Sequence, residues 1–202
     1  YFTDYVRRLT DFPMLVMLEK NERGDLVPGR FLRASDLDGL KDSEHSEWKT
    51  IALDENSGQL VVPNGTVGYR WSQEKGRWNL EEKEGEQNRE VRLQLSLKGE
   101  AVASVAFAHF AARSDGEFWA RCEQDEVLHR NVPCRKLTLA DGSEVAVATV
   151  FDLTLANYGV DNGLGGANVA RSYDDNIAGT PAWQEKLTGV PADKVIRIAK
   201  EF

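Results

Sequence analysis

Residues 180–202 constrain the fold most, because they carry helix start and stop signals twice within 23 positions. Thr180 is a good N-cap, and Pro181 suits the first helical position, where its missing N–H would be unpaired anyway. Trp183 and Leu187 lie four apart and share a face. Gly189 follows the last apolar position and can take the left-handed conformation that closes a helix. Pro191 then opens a second helix. Val195, Ile198, Ala199 and Phe202 fall at i, i+3, i+4 and i+7, an apolar stripe. The stripe reaches the final residue with no polar tail after it, the pattern expected of a piece of something larger.

Upstream, the period changes. Phe2, Tyr5, Val6 and Leu9 form a helical stripe with Arg7 and Arg8 outside it. Pro13 breaks that helix. Residues 14–18 read as a buried strand, and Phe31 and Leu32 as its partner, with turn signals at Gly24-Asp25 and Pro28-Gly29. Residues 48–62 read as a hairpin tipped by Asn56-Ser57-Gly58. The charge run at 81–89 reads as a solvated loop. Val91, Leu93, Leu95 and Leu97 alternate with polar residues, the cleanest half-buried strand in the chain. Residues 67–71 and 101–110 are further strand candidates. The stretch 127–139 reads as a strand pair interrupted at Pro133. Residues 137–147 form a hairpin with Asp141-Gly142 at its tip. A helix from about residue 149 ends at Gly159, and 161–179 is irregular. The expected fold class is α+β, a β-rich middle of hairpins framed by helices. Residues 1–150 are mostly β-hairpins after a first helix, and 151–202 form a helical return segment. Together, 1–202 read as one region of a larger multidomain α/β enzyme.

Charge narrows the partners. The 25 basic residues are outnumbered by 33 acidic ones, giving a net charge of −8. Such a surface argues against binding nucleic acid or an anionic membrane, which need basic patches. No apolar run approaches the length of a membrane span. The chain opens on Tyr1, with no signal peptide and no initiator Met, as expected of a processed or excised N-terminus. Two cysteines point to a reducing compartment rather than to a disulfide framework.

Candidate chemistry is sparse. Cys122, His129 and Cys134 are soft donors, but their spacing matches no zinc pattern and a fourth ligand is missing. Core or strand cysteines are the expectation. His45 and His109 have no nucleophile near them in sequence. Residues 163–168 have the glycines of a phosphate-cradling loop, except that Asn168 stands at the third glycine position, and a flexible turn is expected. Asp174-Asp175 reads as a surface turn. Asn64-Gly65-Thr66 fits a glycosylation acceptor, relevant only in a secreted protein. No catalytic constellation emerges, and we assign no catalytic, cofactor-binding or metal-ligating residue.

A resemblance goes further. Residues 1–8, 12–19, 29–37 and 47–50 resemble the catalytic alpha subunits of respiratory, membrane-bound nitrate reductases, in the molybdopterin oxidoreductase (DMSO reductase) superfamily. So do 62–71 and 76–81, with Tyr69, Trp71 and Trp78. The similarity resumes at 93–97, 139–159, Ser172-Tyr173-Asp174-Asp175, Thr180-Pro181-Ala182-Trp183 and 188–202. Residues 84–89 and 99–127 fit least well. The resemblance implies reduction of nitrate to nitrite in anaerobic respiration. The cofactors implied for the full enzyme are a molybdenum held by two molybdopterin guanine dinucleotides and a [4Fe-4S] cluster. It also implies an iron–sulfur beta subunit, a cytochrome b gamma subunit, an assembly chaperone and a place on the cytoplasmic side of the bacterial inner membrane. The family's His/Cys cluster motif and molybdenum-ligating Asp are not in this sequence, so an internal fragment beside the cofactor domains is expected, inactive by itself. The alternatives are a chlorate, selenate or hydrocarbon-oxidising relative, and an autonomous partner-binding module.

Overall fold

A computed structural model describes residues 3–65, 81–108 and 127–201. They form α1 (Thr3–Leu9), β1 (Leu15–Lys20), β2 (Leu26–Phe31), β3 (Ala52–Leu53), β4 (Leu60–Val61), β5 (Lys83–Glu84) and β6 (Arg89–Glu90). Next come β7 (Ala101–Ala108), β8 (Val127–Thr138), β9 (Glu144–Thr149), α2 (Val150–Asn157), α3 (Pro181–Thr188) and α4 (Ala192–Glu201). Helices and strands are thus mixed as an α+β fold, with β1, β2, β7, β8 and β9 bonded in that order into a closed barrel. Two compact units divide the chain: Tyr1–Ala103 with Pro133–Leu153, and Ser104–Val132 with Thr154–Phe202.

In the first unit, β1 pairs antiparallel with β2 on one side and β9 on the other. Leu15, Val16, Met17 and Leu18 are all buried, as a strand covered on both faces requires. Two apolar clusters form by simple alternation. Ile51 and Leu53 join Leu15, Met17, Leu32, Leu97 and Val147. Ala52 lies between them in sequence and so turns the other way, to Met14, Val61, Val91 and Leu93. The hairpin at Asp141-Gly142 is where the sequence puts it: Thr138 pairs with Glu144, and Leu137 with Val145. Gly142 has φ +84°. A β-branched residue there is strained, so Gly142→Val should lower stability by about 1–2 kcal/mol. An unchanged urea midpoint would show that the turn tolerates a side chain.

Four expectations need correction. First, α1 is turned: Arg7 is buried, while Tyr5 and Leu9 are exposed. Arg7 Nη2 donates to Glu55 at 3.3 Å, and Nη1 lies 3.8 Å from Asp4. A carboxylate partner, rather than apolar periodicity, decides which face goes in. Its Nε and Nη1 are buried without a hydrogen-bond partner among the described residues. Second, the charge run at 81–89 is not a plain loop. It folds into the β5–β6 hairpin, in which Glu84 faces Arg89 and the two pair by charge.

Third, residues 91–97 bury Val91, Leu93, Leu95 and Leu97 as the alternation demands, yet they join no extended ladder. Among the described residues their one isolated bridge is Asp54 to Leu93. Gln94 N–H donates to Leu53 O at 2.9 Å and Glu55 N–H to Arg92 O at 2.7 Å, and carboxylates take other amides of the stretch. Arg92 N–H donates to Asp54 Oδ1 at 2.9 Å, and Leu97 N–H donates to Asp152 Oδ2 at 2.8 Å. Ser96 Oγ donates to the other oxygen of Asp152 at 2.7 Å. A buried amide needs an acceptor, and a carboxylate oxygen serves as well as a carbonyl. Fourth, β8 runs unbroken through Pro133, which is buried inside it. Proline removes a donor there without ending the strand.

The second unit contains the predicted α3–α4 corner. Trp183 N–H donates to Thr180 Oγ1, so the N-cap is real. Gly189 closes α3 with φ +70°, its N–H donating to Glu185 O. The 67–71 strand candidate lies outside the described residues.

Candidate functional site

Arg130 organises the most tightly built polar site of the second unit. It sits on β8, 5% exposed. Its Nε donates to Ala167 O at 2.9 Å. Nη1 donates to Ala156 O at 2.7 Å and to Asn157 O at 2.8 Å. Nη2 donates to Asn168 O at 3.1 Å. Ala156 and Asn157 are the last residues of α2, whose terminal carbonyls have no partner within the helix. The guanidinium therefore caps α2 and ties its end to the glycine-rich loop, and a cation is favoured at that pole of a helix. Among the described residues no carboxylate pairs with it, and burial alone pushes its pKa below the usual arginine value.

The loop itself is pinned rather than open. Ala167 N–H donates to His129 O, Asn131 N–H to Gly165 O, and Asn131 Nδ2 to Leu164 O. Gly163 N–H and Leu164 N–H are taken by the side chains of Asp161 and Asn162. These amides are not free to cradle a phosphate. Gly166 is required by proximity: a Cβ there would stand 2.7 Å from Arg130 Cα. The flexible turn expected at 163–168 is thus an anchored loop. Arg130 carried no functional sign in the sequence, because a single arginine in a strand pattern reads as a solvent-facing position.

The other candidates do not converge. Cys134 is buried, and burial with the nearby charge of Glu100 raises its thiol pKa, which disfavours the reactive thiolate. His129 is exposed on the same strand. Cys122 and His109 lie outside the described residues. His45 is exposed, with φ +57° and Nε2 3.4 Å from Glu44. Asp175 accepts the N–H groups of Arg171 and Ser172, so the Asp174-Asp175 pair builds a surface turn as expected. Asn64 uses its amide nitrogen on Gly85 O and Asn88. Thr66 of the glycosylation triplet lies outside the described residues. Among the described residues there is no group of three or more His, Cys, Asp or Glu side chains able to hold a metal ion. Nor is any described helix long and apolar enough to cross a membrane.

No protein-family model matches the chain. Curated proteins do. The respiratory nitrate reductase 1 alpha chain of Escherichia coli is 52% identical over 206 residues, covering 100% of this chain and 16% of the relative. The respiratory nitrate reductase 2 alpha chain of the same organism is 47% identical, with the same coverage. The nitrate reductase alpha chain of Bacillus subtilis is 40% identical, covering 100% of this chain and 15% of the relative. The chain spans about a sixth of the length of these relatives. Matched from end to end by all three, it belongs to the nitrate reductase alpha-chain family, as a fragment of that longer subunit.

Proposed function

We propose that this chain is a structural region of a respiratory nitrate reductase alpha subunit that reduces nitrate to nitrite in anaerobic respiration. The observation that carries this reading is 52% identity across the whole chain to a respiratory nitrate reductase alpha chain. In this reading the full subunit works with an iron–sulfur beta subunit and a cytochrome b gamma subunit at the cytoplasmic side of the inner membrane. An assembly chaperone serves its maturation.

The reaction needs a redox group that moves two electrons. In this reading a molybdenum on two molybdopterin guanine dinucleotides, fed by a [4Fe-4S] cluster, supplies that chemistry in the full enzyme. The described residues do not fit the cluster: it needs about four soft ligands, and among the described residues no group of three or more His, Cys, Asp or Glu comes together to hold a metal ion. No chemical step is therefore assigned to Arg130 or to any other residue here. What the chain contributes is a scaffold: a strand core held by carboxylate-to-amide bonds, and a helix end locked to a loop by Arg130.

The test compares two proteins. The purified 202-residue chain should be colourless, hold no stoichiometric molybdenum or iron by elemental mass spectrometry, and leave a reduced viologen dye unoxidised by nitrate. The full-length subunit should bleach the dye. Sustained nitrate-dependent bleaching by the short chain would overturn the structural role. A full-length subunit that carries its cofactors yet ignores nitrate would overturn the reaction.

A further inference from the structure

Resting on that family reading, we propose that the apolar face of the α3–α4 pair is an internal docking surface, covered in the whole subunit by another part of the same polypeptide. Neither helix contains a buried residue. Leu187 is 40% exposed, Val190 45% and Ile198 50%. On α4, Val195 and Ile198 lie one turn apart with Ala199 beside them; Val195 and Ile196 are half-buried, Ile198 and Ala199 are exposed, and Arg197, Lys200 and Glu201 lie on the charged side. This is an amphipathic helix whose apolar side is half covered at Val195 and open to water at Ile198 in the chain as it stands.

Local bonds shape the pair without covering it. Gln184 Nε2 donates to Val190 O at 2.9 Å, and Ala192 N–H donates to Glu185 Oε2 at 2.9 Å. They set the corner and leave Leu187, Val190 and Ile198 exposed. Helices of 8 and 10 residues fall below the ~12–15 residues at which isolated helices become even marginal in water. Their stability must come from packing, and within this chain the stripe is only half-buried at Val195 and exposed at Ile198.

The occupant follows from length and charge. This chain accounts for only 15–16% of the E. coli and B. subtilis relatives, so more than four-fifths of such a polypeptide is available to cover the face. An anionic lipid surface fits poorly. The two helices carry four basic and three acidic side chains, too balanced for the basic stripe that membrane-surface helices use. The complementary surface is aliphatic, to receive Leu187, Val190 and Ile198, and uncharged where Ile198 enters.

Hydrogen exchange on the full-length subunit, purified without its partners, tests this. Amides of residues 194–201 should exchange at least ~100-fold more slowly than in an unfolded peptide. Ile198→Asp should remove that protection, whereas Lys200→Ala, on the charged side, should leave it. If Ile198→Asp yields no folded subunit, Ile198→Ala and the unmutated exchange profile decide the matter. Fast exchange in the full-length subunit overturns the proposal. Protection that appears only after the partner subunits are added, or only in a dimer seen by light scattering, overturns the choice of occupant. Nitrate-dependent dye oxidation by the same preparation reports separately on the family's reaction. Protected amides in a subunit inactive on nitrate would leave the docking surface standing and remove the reaction.

Discussion

Arg130→Met should destabilise the second unit by about 3–5 kcal/mol, the largest loss expected from a single change here. Methionine fills much of the space but donates no hydrogen bond. Ala156, Asn157, Ala167 and Asn168 would then each lose a donor to their carbonyls. Arg130→Lys should rescue little, because one ammonium cannot reach the carbonyls that a planar fork spans. Urea unfolding followed by circular dichroism checks both variants. A loss below about 1 kcal/mol for the methionine variant would mean that water replaces the guanidinium freely.

Asp54→Ala comes second, with an expected loss of about 2–4 kcal/mol. Asp54 is buried and accepts from Ser57 Oγ at 2.6 Å, Arg92 N–H at 2.9 Å and Asn56 N–H at 3.3 Å. Burial by itself would raise its pKa. The bonds from Ser57, Arg92 and Asn56 and the charge of Arg89 outweigh burial and hold it below the usual carboxylate range. A folded-state pKa below the unfolded one means that the folded chain resists the proton. The stabilisation is complete above the unfolded value of about 3.9 and is lost as pH falls through the depressed folded value.

Asp152 does similar work with the opposite sign. Burial dominates over the bonds from Leu97, Ser96 and Thr149, and its pKa is raised. Its contribution is present below the unfolded value and drains away as pH rises through the folded one. Urea midpoints measured from about pH 2 to pH 8 should separate the two. Asp54→Ala flattens the acid side of the profile, and Asp152→Asn removes a loss on the way to neutrality. Identical profiles for the two variants would mean that the carboxylates are not perturbed in opposite directions.

These residues also show what a sequence makes legible. The Asp141-Gly142 turn and the Thr180 cap act through neighbours within four positions, so the local pattern contains their whole cause. Alternation at 91–97 foretold burial correctly, because it reports which side chains turn inward. It could not report that those amides would bond to Asp54 and Asp152, 38 and 55 positions from their donors. Arg7 and Arg130 failed for the same reason. A charged residue goes inside only when distant acceptors meet it, and Glu55 or the end of α2 leaves no mark on the arginine's own neighbourhood. The end-to-end family resemblance was legible where site chemistry was not, because it rests on many positions rather than on a few ligands.

The two units are interleaved along the chain: the first takes residues 1–103 and 133–153, the second 104–132 and 154–202. For a ribosome this order matters. The opening 103 residues of the first unit emerge early but must wait for β9, which pairs with β1 across about 130 intervening residues. Meanwhile β1 presents Leu15, Met17 and their neighbours with one edge unpaired. Exposed strand edges of that kind recruit chaperones or aggregate. A nascent chain stalled near residue 130 would thus hold both units incomplete, and no single cut could release either one whole.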